Sequence, residues 1–218
     1  MLKDNSAITE LGGCALNTVR ILANLGCSNV FAGMVSNDKF GSTIKSRLKQ
    51  LSIKDCVQVS GSGMTGSCLV LVTPDGERTM NTCLGVSCLF GADVVPHEEL
   101  RKAKVFHFCG YQWDKDEQKS SIVSACETAR KSGALVSFDV ADPGVVKFNR
   151  DDFLKIINND VDLVFANMEE AMCLFPDNDI EEIARIIASK GVLAVIKLGE
   201  EGALLQKGDE VVRIPPVK

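Results

Sequence analysis

The sequence predicts an α/β fold: a doubly wound, mostly parallel central sheet with helices on both faces and a small β-hairpin set into it. Three observations carry this. Apolar runs of strand length alternate with segments of helical period along most of the 218 residues. The run from Val192 to Lys197 is almost entirely apolar, as expected of a parallel strand covered on both faces. One stretch, about 56–84, shows no helical stripe and holds two β-rich runs joined by Pro74-Asp75-Gly76. The expected organisation is a single domain over 1–218, with 56–84 as a β-rich insertion.

In chain order, Leu11 to Asn17, with its two glycines at a helix start, leads into Thr18 to Leu25, and Val30 to Val35 reads as the first strand. The hairpin runs are Gly66 to Thr73 and Glu77 to Cys83. Lys104 to Cys109, Ala134 to Val140, Val161 to Ala166 and Val192 to Lys197 complete the strands. Gln118 to Lys131 is helical, because Ile122, Cys126 and Ala129 fall on one stripe. Ile180 to Lys190 repeats the pattern with Ile183, Ala184 and Ile187. Asp179 with Glu182 gives that helix an N-cap and its partner, and Gly191 closes it. Asp209 sits in the Gly-Asp turn of a second hairpin.

Composition narrows the function. Apolar residues are 45% and charged residues 24%, an ordinary globular balance that excludes a disordered chain. With 24 basic and 29 acidic residues the net charge is −5, so no wide basic surface for nucleic acid or anionic membrane is expected. Met1 to Ser6 lacks the apolar run of a secretory signal, and nothing approaches a spanning helix; the expectation is a cytoplasmic protein. Nine cysteines without a C-x-x-C pair, and two histidines without zinc-site spacing, read as reduced thiols packed like small hydrophobes, Cys68 and Cys109 among them.

Five motifs invite a chemical reading. Gly61-Ser62-Gly63-Met64-Thr65-Gly66 matches a dinucleotide fingerprint but runs into a strand where that fingerprint must open a helix, and is rejected. Gly12 and Gly13 at a helix start would let a ligand approach backbone amides, with Asn17 one turn on facing a hydroxyl; the plain alternative is a turn whose Cys14, Ala15 and Leu22 pack on a sheet. Asn167-Met168-Glu169-Glu170 follows a strand, where open α/β sheets bind ligands, yet a helix cap explains the same letters. Lys197, Gly199 and Gly202 follow another strand and would admit a phosphate. Arg78, beside a turn, is either solvated or able to reach an anion from a lid.

The order of these motifs is more telling than any one. Gly-Gly-x-x-x-Asn, then GMVSNDKFG, then TGSCLVLVTPDGERT, then N-x-x-E and K-x-G-x-x-G, resembles the ribokinase-like (PfkB) sugar and nucleoside kinases over essentially the whole chain. Thr65-Gly66, Gly76 to Thr79, Phe138 to Asp142 and Phe165 to Asn167 look closest to the adenosine-kinase-like branch. The resemblance implies a ribokinase-like fold, a β-lid over the substrate, and transfer of the ATP γ-phosphoryl to a primary hydroxyl of a sugar or nucleoside with Mg²⁺. It places Gly12, Gly13 and Asn17 at the acceptor site, and Arg78 on the lid against transferring phosphate. It puts Asn167, Glu170, Lys197, Gly199 and Gly202 at the nucleotide, with Glu170 acting on the metal through water. Phosphoryl transfer fits such a set, needing positioning and charge neutralisation more than covalent chemistry. The expected partner is a small molecule, with a homodimer through the lid in view and no nucleic acid or membrane.

Two departures qualify it. Only ten residues precede the Gly-Gly pair, where family members carry a strand with an acceptor-binding acid. No Gly-Ala-Gly-Asp follows the segment Val211 to Lys218, so the anion hole and general base have no counterpart and the chain reads as truncated at both ends. The competing expectation is a non-catalytic protein that keeps the fold to bind or assemble.

Overall fold

The computed structural model describes residues 8–217; the start read for a leader, Met1 to Ser6, and Lys218 lie outside them. The chain divides into two compact units between Ser87 and Cys88.

In the first unit, helix α1 (Cys14–Asn24) precedes strand β1 (Val30–Ser36), helix α2 (Lys39–Gln50) and strand β2 (Lys54–Ser60). β1 and β2 pair in parallel from Val30↔Lys54 to Ser36↔Ser60. Leu16, Val35, Leu48, Ile53 and Val57 form the core beneath. The helix begins at Cys14, directly after the Gly-Gly pair, and Leu16 is its buried residue rather than Cys14, Ala15 or Leu22. Cys56 belongs to β2, so the hairpin proper is narrower than 56–84. It comprises β3 (Ser67–Val72) and β4 (Arg78–Cys83), antiparallel from Ser67↔Cys83 to Val72↔Arg78. Every residue of both strands is exposed. Cys68 is therefore solvent-facing, not packed: a two-stranded ribbon has no second layer to bury its apolar letters.

The second unit is built on one six-stranded sheet in the order β10-β9-β8-β7-β6-β5. Its strands are β5 (Val105–Cys109), β6 (Leu135–Asp139), β7 (Leu163–Asn167), β8 (Leu193–Lys197), β9 (Ala203–Lys207) and β10 (Glu210–Ile214). β5 to β8 are parallel, and β9 and β10 return antiparallel around the Gly208-Asp209 turn, so the sheet is mostly parallel, as expected. α3 (His97–Leu100) leads into β5, and the connections are α4 (Asp116–Lys131), α5 (Pro143–Asn159), α6 (Met168–Leu174) and α7 (Ile180–Ala188).

Period-2 alternation sends Phe108, Val136, Phe138, Val164, Ala166, Ala194, Ile196 and Leu204 into one core. There Phe138 meets Phe153 of α5 edge-on at 5.0 Å. Ile122, Cys126 and Ala129 of α4, and Ile183, Ala184 and Ile187 of α7, are buried against it as their spacing predicts. Of the alternate set, Cys109 and Ser137 are buried but Phe165, Val195 and Leu205 are only half-buried, so β8 is not covered equally on its two faces as its apolar letters suggest. α5 opens on the Asp142 cap with Pro143 in its first turn, and α7 opens on Asp179, whose side chain accepts from the Glu182 N–H at 2.8 Å. Among the described residues no helix is long and apolar enough to cross a membrane, and no disulfide joins any of the nine cysteines.

Candidate functional site

In the second unit, three neighbouring strands end side by side. β6 ends on Asp139, β7 on Asn167 and β8 on Lys197, with Asn167↔Lys197 in direct register. These are carboxyl ends of parallel strands, where an α/β sheet presents its connecting loops to a ligand. Asp139 Oδ2 lies 3.3 Å from Lys197 Nζ, while its Oδ1 accepts from the Ala141 N–H at 2.9 Å. Asp142, three residues on, is spent as a helix cap, its Oδ1 accepting from the Gly144 and Val145 N–H groups.

Asn167 and Glu170 form a closed reciprocal pair at the start of α6. Asn167 Oδ1 accepts from the Glu170 N–H at 2.8 Å, and Glu170 Oε2 accepts from the Asn167 N–H at 2.7 Å. A third bond runs from Asn167 Nδ2 to Glu170 Oε1 at 2.8 Å. The helix-cap reading of N-x-x-E is thus realised. Glu170 is nonetheless only 4% exposed, and burial raises its carboxyl above the usual carboxylate range. The Asn167 N–H and the Lys197 charge pull it back down, while Asp139 and Asp142 push it up. Each of its oxygens keeps one further lone-pair direction.

The segment after Lys197 is a tight turn, Gly199–Glu201, held by Leu198 N–H to Gly202 O at 2.8 Å and Gly202 N–H to Gly199 O at 3.1 Å. A Cβ on Gly199 would meet nothing within 4 Å, so its backbone is open to a ligand. Gly202 differs. At φ +90°, a Cβ there would fall 2.0 Å from Ile214 O, so the backbone requires glycine at that position for its own packing.

The first unit holds the remaining candidates. Gly13, at φ +108°, is the N-cap of α1, and its carbonyl accepts from the Asn17 N–H at 2.8 Å. Gly12, Gly13 and Asn17 are all exposed, and a Cβ on Gly12 would meet nothing within 4 Å. Arg78 is the first residue of β4, exposed, opposite Val72. The turn before it is fixed by Thr73, whose N–H donates to Glu77 O at 2.9 Å and whose hydroxyl bonds Asp75.

The structure therefore brings Asn167, Glu170 and Lys197 together within one unit, and adds Asp139, which lies outside those motifs. A hint for Asp139 existed: it ends a strand and precedes a capping Asp-Pro pair. The sequence as a whole matches the model of the pfkB family carbohydrate kinases over residues 4–218. It is 30% identical to an adenosine kinase from Sinorhizobium meliloti whose structure superposes with a TM-score of 0.94, covering 98% of this chain and 66% of that one. It is 25% identical over 202 residues to an uncharacterized sugar kinase from Archaeoglobus fulgidus, covering 90% of this chain and 76% of the relative. A fructokinase from Solanum tuberosum matches at 28% over 131 residues, 59% of this chain and 41% of its own.

Proposed function

The chain belongs to the pfkB family of carbohydrate kinases, and on that premise we propose that it transfers the γ-phosphoryl of ATP to a primary hydroxyl of a sugar or nucleoside. The observation that carries this reading is the junction of Asp139, Asn167 and Lys197 on three adjacent strand ends, with Glu170 buried beside them.

The residues suit a magnesium–nucleotide. Among the described residues no group of three or more His, Cys, Asp or Glu side chains is placed to hold a metal ion directly. Mg²⁺ keeps several waters and binds largely through substrate phosphates, so one buried carboxylate acting through water is an adequate protein contribution. When bound, Mg²⁺–ATP supplies the phosphoryl group and a cation that shares its charge. Glu170 orients water with the lone pairs its helix cap leaves over, and Asn167 fixes that carboxylate. Lys197 offers an ammonium, and the Gly199 turn offers backbone, to the phosphates. Gly12, Gly13 and Asn17 take the acceptor's hydroxyls, and Arg78 meets charge developing on the transferred group. A cytoplasmic location, and a homodimer through the hairpin, whose two edges lack strand partners among the described residues, belong to the same reading.

A second reading, a non-catalytic binding protein, draws on one observation: both Glu170 oxygens already accept hydrogen bonds within the helix cap. Calorimetric titration of the 218-residue chain with ATP, with and without Mg²⁺, separates the two. Tighter binding with Mg²⁺ supports the kinase reading, and an affinity indifferent to Mg²⁺ supports the other. Turnover of adenosine, ribose or fructose by these 218 residues should stay below ordinary kinase rates of roughly 1–100 s⁻¹, because general-base help contributes about 10²–10⁴-fold and no Gly-Ala-Gly-Asp is present to provide it.

A further inference from the structure

The motif GMVSNDKFG has no role in that reading, yet its Asp38 carboxylate accepts three hydrogen bonds in the first unit. Asp38 caps α2, Oδ1 accepting from the Gly41 N–H at 2.7 Å. The same carboxylate holds Thr65 twice: Oδ2 accepts from the Thr65 N–H at 2.8 Å, and Oδ1 accepts from the Thr65 hydroxyl at 2.7 Å. Thr65 Oγ1 in turn accepts from the Ser36 N–H, the last of β1, at 3.0 Å, and the Ser36 hydroxyl donates to Gly63 O at 2.9 Å. Thr65 is 3% exposed, a buried polar residue in a stretch whose neighbours Gly63, Met64 and Ser67 are open to solvent. Gly41 must be glycine for this junction to close, since a Cβ would fall 2.2 Å from Ser36 O and 3.2 Å from Thr65 Oγ1.

Thr65 stands two residues before β3, at the root of the hairpin that carries Arg78. The outgoing leg is stapled to the incoming one. The Val86 N–H donates to Met64 O at 2.9 Å, and Gly66 and Gly85 pack so closely on Leu84 O and Met64 O that a Cβ would fall at 2.8 and 2.2 Å. The two legs are thus joined at the root. Since every residue of β3 and β4 is exposed, the ribbon has no buried face to set its direction. Its direction is set where the root is bolted down.

We infer that Asp38 and Thr65 are positioning residues, a hydrogen-bonded latch that fixes the hairpin root to the β1–α2 junction and so aims the hairpin bearing Arg78. The latch deepens the kinase reading only in what the hairpin is aimed at; the latch itself is a property of this unit and is testable without turnover.

Two substitutions isolate it. Asp38→Asn keeps the helix cap, because asparagine caps as well as aspartate, but it sets a donor against the Thr65 N–H. Thr65→Val keeps the shape and removes the hydroxyl that serves Ser36 and Asp38. Thr65→Ser restores that hydroxyl. Amide hydrogen exchange read by mass spectrometry or NMR gives the result. In Asp38→Asn and Thr65→Val the amides of 67–72 and 78–83 should exchange about tenfold faster or more, the size expected for losing a charge-assisted bond at a local opening. The amides of the β1–β2 ladder should hold their rates, and Thr65→Ser should restore the hairpin's. Unchanged hairpin rates overturn the latch, and so does equal acceleration of the β1–β2 ladder, which would make these bonds ordinary supports of the unit. If Thr65→Val fails to fold, Asp38→Asn alone decides. Failure of phosphotransfer leaves this exchange pattern untouched, so the two ideas fail separately.

Discussion

Asp139 and Lys197, 58 residues apart in sequence, meet at 3.3 Å from the two strands that flank β7, on either side of Asn167. An ion pair with its ammonium 48% exposed contributes little to stability, about 0–1 kcal/mol. Its value lies in placement. The pair holds a positive charge beside Glu170, whose carboxyl burial has raised, and the Lys197 charge partly offsets that rise. Removing either partner changes the electrostatics of the strand ends while sparing the fold.

Lys197→Met should therefore lower stability by less than about 1 kcal/mol and weaken Mg²⁺–ATP binding roughly tenfold or more, the range of a charge-assisted contact. Asp139→Asn should cost equally little stability and leave nucleotide affinity equal or higher, since it frees the ammonium. Thermal melts and calorimetry on the same samples give both numbers. Unaltered ATP affinity in Lys197→Met would assign this lysine to Asp139 alone.

Glu170→Gln keeps an acceptor for the Asn167 N–H but turns a donor toward Asn167 Nδ2, now a bonded partner at 2.8 Å. Nucleotide binding should lose its Mg²⁺ dependence while binding in EDTA stays as in the parent. Because burial raises the Glu170 carboxyl, the folded chain holds its proton more readily than the unfolded one. Stability from this group is therefore full below the unfolded carboxyl range and declines as pH rises through the raised value; Glu170→Gln should remove that decline. Equal Mg²⁺ enhancement in parent and variant would leave N-x-x-E as a helix cap only.

Much of this was legible in the sequence where the signal is local. The stripes of α4 and α7, the Asp179 cap, the strand ends and the Pro-Asp-Gly turn are all written within a few residues of themselves. What failed was non-local. The run Val192 to Lys197 looks buried on both faces, but Val195 is half-buried, because cover depends on what lies across the sheet. Cys68 reads as core in an apolar run, yet every residue of its strand is exposed. One local signal is also missed: no element is expected over 143–159, although Asp142 caps a helix there whose first turn holds Pro143, where proline needs no N–H partner. The partnership of Asp139 with Lys197 exists only through the register of β6, β7 and β8, and Asp38 with Thr65 only through a contact 27 residues long.

Arg78 tests the hairpin's part in chemistry. Exposed beside a turn, Arg78→Ala should alter stability by no more than about 0.5 kcal/mol. In a chain that turns over, kcat should fall by roughly 10–10³, less than the loss of an arginine finger because Mg²⁺ shares the charge. KM for the acceptor should change less than kcat, as for a contact made with developing charge. Arg78→Lys should recover only part, since an ammonium lacks the planar two-pronged contact. A normal kcat in Arg78→Ala removes the hairpin from the mechanism.

Cys126 offers a check on the core that needs no ligand. Burial first, then the Asp160 charge, push its thiol up to about 12 from an ordinary value of 9.0, with Arg130 opposing. In the native chain at pH 8 the thiolate is the reactive species, so Cys126 should resist alkylation while the exposed Cys27, Cys68 and Cys83 react. The pH dependence of stability has a definite sign. Between about 9 and 12 the folded chain keeps the thiol proton and the unfolded chain gives it up, so the unfolded state binds fewer protons there. Stability should be full below pH 9 and fall as pH rises through that window, and Cys126→Ala should flatten this part of the profile, at a cost in packing at all pH values. Labelling at Cys126 as fast as at Cys27, under native conditions, would show that α4 does not lie closed over the sheet.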